Sequence, residues 1–217
     1  HLLDGMHYRG MLRVVRRDSG TRVYEAVAHP PTDDSPASRA QRAAALVALV
    51  VHKYAPLPAA SLTYLVRLLG YGAPHLAPQI QTALRLAKQE LASCQINGTT
   101  WYWPADENPA SRRHTPDGAV RLLAPFDPVV WDRRRFTLLW DWTYKFEAYT
   151  PAPQRKLGYY ALPLLWHDRV IGWANVTAPQ GHMVVNFGYA DKAPQGADFR
   201  AALDDELQRM AYFLAAH

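Results

Sequence analysis

Two carboxylates five residues apart, Asp127 and Asp132 in the run PFDPVVWDRRR, are the first candidates for chemistry. Paired carboxylates do acid–base work when one holds a proton that the other lacks. The same pair has a structural reading. Asp127 caps a helix that begins near Pro128, and Asp132 pairs with a neighbouring arginine. Ser61 and Cys94 have no motif around them and read as packing or capping residues. Nine histidines are scattered along the chain, none in HxxxH or HExxH spacing. No GxSxG, Walker or GxGxxG pattern occurs. The lone Cys94 excludes an internal disulfide and a multi-cysteine zinc site. The sequence therefore predicts no metal, no cofactor and no catalytic residue.

The cations point elsewhere. The chain carries a net charge of +5, with a pI near 9.4. Arg9, Arg13, Arg16, Arg17 and Arg22 crowd the first 28 residues, opposed by Asp4, Asp18 and Glu25. Arg112–Arg113 and Arg133–Arg134–Arg135 form two more clusters. Arginine suits bidentate phosphate contacts. A solvated, arginine-rich surface is the alternative, and charge alone leaves both open. On a helix, three consecutive arginines fan around the axis, so at most two meet one phosphate backbone; Arg133 and Arg134 are the candidates. Another member of the triplet can pair with Asp132 or Glu147. The aromatic residues Trp131, Trp140, Trp142, Tyr144 and Phe146 read as core rather than as a base-stacking platform. Trp101–Tyr102–Trp103 fits packing better than a groove.

The elements that would position these side chains are legible in outline. His1–Arg9 reads as a helix end with Gly10 at its C-cap. Strand-like runs Met11–Arg17 and Thr21–Val27 follow, joined by Asp18–Ser19–Gly20. His29–Ser38 reads as a proline-rich linker. Helices are then predicted over Arg39–Tyr54, Ser61–Leu69 and Pro78–Ala92, the last with Ile80, Leu84, Ala87 and Leu91 as its buried stripe. Asn97–Gly98 between short apolar runs is a hairpin signal. Three helices and a hairpin make a winged helix, whose third helix enters the major groove. That places Arg85 and Lys88 among the DNA-binding candidates. Asp106–Gly118 is a second polar linker. Beyond it the sequence predicts a helix over Pro128–Trp140. Strands are expected over Tyr144–Tyr149, Tyr159–Trp166, Arg169–Val176 and Met183–Tyr189. A final helix carries Phe199, Leu203, Leu207, Met210 and Leu214. The fold class is α+β: a winged helix followed by a mixed α/β domain with a mostly antiparallel sheet. The expected units are 1–28 (the end of a truncated winged helix), 39–104 (a complete one) and 119–217.

The chain has 217 residues and is 49% hydrophobic, enough for a real core and too much for wholesale disorder. No apolar run approaches the roughly 20 residues of a membrane span, and no secretory signal opens the sequence. A reducing cytoplasm and no membrane partner are expected.

Recognition becomes specific in two runs. LLAPFDPVVWDRRRF (122–136) and YKFEAYTPAPQRKLGYYALPLLWHDRVIGWANV (144–176) resemble the C-terminal domain of the AlkZ/YcaQ-like winged-helix DNA glycosylases. HYRGMLRVVRR and TRVYE near the start resemble the end of that family's middle winged helix. The resemblance implies three tandem winged helices around a concave channel, a β-rich C-terminal domain, and double-stranded DNA as partner. It implies removal of alkylated, cationic purines and unhooking of interstrand crosslinks; the alternatives are a non-enzymatic winged-helix DNA-binding regulator and a protein-interaction module. Such a purine is already a good leaving group, so the enzyme need only orient water and stabilise the developing oxocarbenium charge.

The resemblance also implies a catalytic Gln-aliphatic-Gln or Gln-aliphatic-Asp pair on the first winged helix, a region expected to lie upstream of His1. By that expectation the chain alone excises no base. Gln79–Ile80–Gln81 repeats the pattern in letters but sits in the third predicted helix of the later winged helix. Helical spacing would put its two glutamines roughly 200° apart. The match is expected to be coincidental, with a DNA contact at the helix start as the alternative.

Overall fold

The computed structural model describes residues 2–215. His1, the expected first residue of the opening helix, lies outside them, as do the last two residues of the expected C-terminal unit. The chain divides into two compact units, His1–Glu107 and Asn108–His217. The division falls inside the second polar linker.

The first unit opens with helix α1 (Leu2–Tyr8) and the hairpin β1 (Leu12–Asp18)–β2 (Thr21–Ala26). The hairpin reverses on Ser19 and Gly20, both at positive φ (49° and 84°), as a two-residue turn between right-twisted strands requires. Helix α2 (Pro36–Tyr54) begins three residues earlier than expected. Ser35 is its N-cap, its hydroxyl accepting the Ser38 N–H, and Pro36 fits the first turn, where its missing N–H costs nothing. The capping serine and proline had read as linker composition. Strand β3 (Leu57–Pro58), helix α3 (Ala59–Gly72), helix α4 (Ala77–Glu90) and hairpin β4 (Ala92–Ile96)–β5 (Thr99–Trp103) complete the unit. The sheet order is β3-β5-β4, all antiparallel. Ile80, Ala83 and Leu84 of α4 are buried, with Val47 and Val51 of α2 and Leu62 and Val66 of α3. Of the expected stripe on α4, Ile80 and Leu84 are buried, Ala83 joins them, and Ala87 and the C-capping Leu91 are half-buried.

The second unit is an antiparallel sheet, β6 (Val120–Leu122), β7 (Ala161–Trp166), β8 (Arg169–Thr177) and β9 (Val184–Tyr189), in that order. The predicted strand at 144–149 is irregular instead, and β6 takes the fourth place in the sheet. The alternation at 144–149 has another cause. Tyr144 packs into the core, and the buried Glu147 carboxylate bonds to backbone further along rather than lying beside a ladder. The single helix predicted over Pro128–Trp140 is two helices, α5 (Pro128–Trp131) and α6 (Arg133–Trp140). Asp132 breaks it, with ψ at 90° and its side chain accepting the Arg135 N–H as the cap of α6. Asp127 caps α5 through the Val129 N–H. Both carboxylates are therefore helix caps.

One core gathers Leu123, Val130, Phe136, Tyr144, Ala161 and Val170, with Trp140 and Trp142 against them. The Phe136 ring lies 4.8 Å from Trp140 and 5.9 Å from both Trp142 and Tyr144. A second core joins Val120 and Leu164 to Phe199 of the last helix, α7 (Ala197–Ala215). Glu206 of α7 accepts the Leu122 N–H at 2.7 Å, fastening helix to strand.

Phe136 is fully buried, whereas Leu138 two residues on is 48% exposed. Phe136→Ala should lower the free energy of unfolding by about 3–5 kcal/mol, and Leu138→Ala should stay within about 0.5 kcal/mol of wild type. Urea titrations of the two variants measure this. Equal midpoints would place the core elsewhere.

Candidate nucleic-acid interface

The N-terminal hairpin holds four of the nine candidate cations, and its register sorts them by face. Residues directly opposite one another in an antiparallel pair share a face. Arg13 lies opposite Glu25, Arg16 opposite Val23 and Arg17 opposite Arg22. A bulge between Val14 and Arg16 resets the alternation, so that Arg13 and Arg16 share one face and Arg17 and Arg22 the other. On the first face Arg13 donates to Glu25 at 2.8 Å and Arg16 to Asp18 at 3.1 Å, all exposed. On the second, Arg22 reaches Asp4 of α1 at 3.3 Å. His7 meets Tyr24 edge to face at 5.8 Å, so α1 leans on this side of the hairpin.

Arg17 is the exception. Among the described residues it has no carboxylate partner; its guanidinium reaches only the Gly20 carbonyl, at 3.4 Å. It stands directly opposite a second arginine at the hairpin tip. Like charges placed so repel, and an anion between them would relieve the repulsion. Arg9 is exposed just after α1.

On α4, Arg85 is exposed, while Lys88 is half-buried. The Lys88 ammonium donates to Thr63 at 3.2 Å and lies 6.0 Å from the Tyr102 ring. Trp101 beside it is buried, as the packing reading expects.

The arginine triplet divides. Arg134 is exposed. Arg133 is half-buried, stacked 4.3 Å over the Tyr144 ring and donating to the Val130 carbonyl and, at 3.0 Å, to that of Pro125. Burial lowers its pKa, offset in part by Tyr144. Arg135 is buried and donates to the Pro128 carbonyl. Glu147 bonds backbone rather than an arginine. Phe146, grouped with the core aromatics by sequence, instead joins an exposed set of rings with Phe126, Tyr149 and Tyr160. Sequence reasoning missed that set. The available signal was charge: among the residues from Trp142 to Tyr160, Glu147 is the lone acid beside Lys145, Arg155 and Lys156.

The family model described as "DNA glycosylase AlkZ-like" matches residues 1–213. The chain belongs to this family of AlkZ-like DNA glycosylases. DNA is therefore its substrate or partner. No solved structure matches the chain. Among the described residues of this AlkZ-like chain, no group of three or more His, Cys, Asp or Glu side chains is placed to hold a metal ion. Nor is any helix among them long and apolar enough to cross a membrane.

The Gln79–Ile80–Gln81 run of this AlkZ-like chain sits in the first turns of α4. Ile80 is buried, Gln81 is exposed, and Gln79 turns toward a groove of about 810 Å³ between α2 and α4. Ala40, Ala44, Ala48 and Thr82 line that groove, and the Gln79 side-chain oxygen is buried there without a hydrogen bond. The two glutamines thus face different surroundings and do not converge on one atom.

A buried carboxylate organises the loop before β7. Glu147 Oε2 accepts the backbone N–H groups of Lys156 at 2.8 Å, Leu157 at 2.7 Å and Gly158 at 3.3 Å. Asn175 of β8 adds a bond to the Leu157 carbonyl at 2.7 Å. Gly158 has φ +119°, and a Cβ there would fall 2.3 Å from the Asn175 side chain, so only glycine fits. Burial alone would raise the Glu147 pKa. The N–H groups of Leu157, Lys156 and Gly158, with Lys145 nearby, outweigh it and hold the carboxyl below the ordinary glutamate range.

A depressed folded-state pKa means that the ionised carboxylate stabilises the fold above the unfolded value, about 4.3. That contribution fades as pH falls through the lower folded value. Glu147→Gln should therefore be less stable than wild type at pH 7, with the gap narrowing below about pH 4. Urea midpoints at the two ends test it. A gap that does not change with pH would mean that the negative charge contributes nothing.

Proposed function

We propose that the chain provides the duplex-binding surface of a glycosylase that excises alkylated purines and unhooks interstrand crosslinks. Residues 36–103 serve in this reading as a winged helix, α4 as its groove-facing helix and β4–β5 as its wing. The β1–β2 hairpin is a second wing. The observation that carries the proposal is the pair Arg17 and Arg22, opposed at the tip of an exposed hairpin. Arg22 keeps an exposed carboxylate partner in Asp4 at 3.3 Å, whereas Arg17 meets no carboxylate among the described residues. A phosphate fills the place at the tip.

The contacting residues in this reading are Arg9 just after α1, Arg13, Arg16, Arg17 and Arg22 on the hairpin, Arg85 on α4 and Arg134 on α6. Arg13 and Arg16 exchange exposed carboxylate partners for phosphates, which is a small change because exposed ion pairs contribute little. Lys88 and Arg133 are held to their own unit, the former by Thr63 and the latter by two carbonyls and Tyr144. We assign them to positioning. Contacts of this kind go to phosphate and carry no sequence information, which suits a protein whose target is a lesion rather than a sequence.

Each phosphate neutralised contributes about 0.9 to the slope of log affinity against log salt. Replacing Arg13, Arg16 and Arg17 together with Ala should weaken duplex binding and flatten that slope by up to about three units. Anisotropy titrations across salt concentrations measure it. An unchanged slope would remove the hairpin from the interface. On DNA carrying N7-alkylguanine the chain by itself should release no free base above a buffer control; detectable release would place a catalytic pair within these 217 residues.

A further inference from the structure

We propose that the exposed aromatic patch of the second unit, Phe126, Phe146, Tyr149, Tyr159 and Tyr160 with Lys145, Arg155 and Lys156, is a stacking platform for an unpaired DNA strand. The proposal rests on the DNA-binding reading above and gives it a second, chemically different contact.

Single exposed aromatics are ordinary on a protein surface. Four of these are contiguous. Phe146 is the hub, 5.3 Å from Phe126, 5.2 Å from Tyr160 and 6.1 Å from Tyr149, each ring meeting it edge to face. Tyr149 is 93% exposed, Phe126 61% and Tyr159 59%. The hub is anchored while the outer rings present free surface, and contiguous exposed apolar area of this kind marks a contact site.

The surroundings select the occupant. Between Trp142 and Tyr160 the cations are Lys145, Arg155 and Lys156 and the acid is Glu147, while Asp127, next to Phe126, is engaged as the N-cap of α5 through the Val129 N–H. The Glu147 carboxylate is turned inward, its Oε2 taken up by three backbone N–H groups. Arg155 stacks 4.9 Å over the Tyr159 ring while its Nε donates to the Thr150 carbonyl at 2.8 Å, so ring and cation are held together. Lys145 and Lys156 are exposed. A partner of this patch carries regular negative charge and flat apolar faces. An acidic peptide supplies the charge but nothing for the rings. A proline-rich peptide supplies ring contact but leaves the cations unused. A nucleic-acid strand supplies both, and its base faces are open only where the bases are unstacked.

The Lys156 end of the platform is also held before anything binds. Glu147 and Asn175 fix the loop from Lys156 to Gly158, so little conformational entropy remains to be lost on contact.

The test uses the full 217-residue chain and fluorescence anisotropy with three probes. They are a labelled thymidine oligomer of about fifteen nucleotides, the same backbone carrying abasic residues throughout, and a blunt duplex. The base-bearing strand should bind about tenfold more tightly than the abasic one. Tyr149→Ala and Phe126→Ala should each remove most of that difference, and Tyr149→Phe should keep it. Tyr149 is so exposed that its substitution leaves folding intact, which circular dichroism checks. Equal affinity for the two single strands overturns the platform, as does an unchanged preference in both alanine variants. Displacement by a polyglutamate peptide as effective as unlabelled strand overturns it in favour of an acidic protein partner. The duplex probe keeps the two readings apart. If the Arg13/Arg16/Arg17 variant loses duplex binding while the aromatic variants change nothing, the platform fails and the hairpin stands. If the duplex is not bound but the strand preference disappears in Tyr149→Ala, the hairpin reading fails and the platform stands.

Discussion

Burying the carboxylate of Glu147 obliges the chain to bring hydrogen-bond donors to it, because an ionised group removed from water without partners is prohibitively costly. Three successive backbone N–H groups answer that demand. Much of the second unit's exposed chemistry follows from this. The loop that carries Tyr149, Arg155 and Tyr159 is closed at its far end on Glu147, the Asn175 amide holds the adjoining carbonyl, and a glycine is required where the two meet. An alternating run that composition assigns to a sheet is therefore diverted into a rigid surface loop. The sheet recruits Val120–Leu122 in its place, and Glu206 of α7 secures that short strand.

The same economy of partners explains why the arginines are not equivalent. A guanidinium keeps its charge at any ordinary pH, so each one must find either water or an acceptor. Arg133 and Arg135 find main-chain carbonyls, and Arg133 also finds the face of Tyr144. They brace α5 and α6 against the core. Desolvation of Tyr144 raises its phenol to about 12, with Arg133 acting against that rise, so the ring stays neutral beneath the cation. The hairpin arginines find exposed carboxylates or a distant carbonyl, partners that a phosphate can replace at small cost. Proximity in sequence says little about which of these fates an arginine meets. Arg133 and Arg134 are adjacent, yet only Arg134 faces solvent.

Features governed by local rules were legible from the residues. Ser19–Gly20 and Asn97–Gly98 are turns because their backbones adopt positive φ at little cost, and both hairpins form where expected. The first halves of the stripes, Ile80 and Leu84 on α4 and Phe199 and Leu203 on α7, follow from helical periodicity, whereas Leu214 at the end of α7 is exposed. The antiparallel α+β class and the capping role of Asp127 were equally readable. What escaped was decided by contacts distant in sequence. Asp132 interrupts a strongly helical pattern because its side chain caps a new helix, and an Asp inside a helical run carries no mark of that choice. Phe146 and Trp142 look alike in sequence. Phe136 draws Trp142 into the core at 5.9 Å, while Phe146 turns to Phe126 and Tyr160. The bulge that divides the hairpin arginines between two faces is likewise invisible without the pairing register.

An enzyme that removes a base from duplex DNA has to disturb the stack around it, at a cost of a few kcal/mol. Phosphate contacts alone cannot offset that cost selectively, because they are made equally to stacked and unstacked DNA. Aromatic surface can, since a base face becomes available only after the stack has opened. On the proposed reading the chain separates these two tasks chemically. The β1–β2 hairpin carries exposed guanidiniums and little exposed aromatic area besides, which makes its attachment general, salt-sensitive and indifferent to sequence. The loop around Phe146 combines clustered rings with a few cations, which makes it responsive to exposed bases rather than to charge alone. Attachment and discrimination then depend on different side chains, so each can be weakened without abolishing the other.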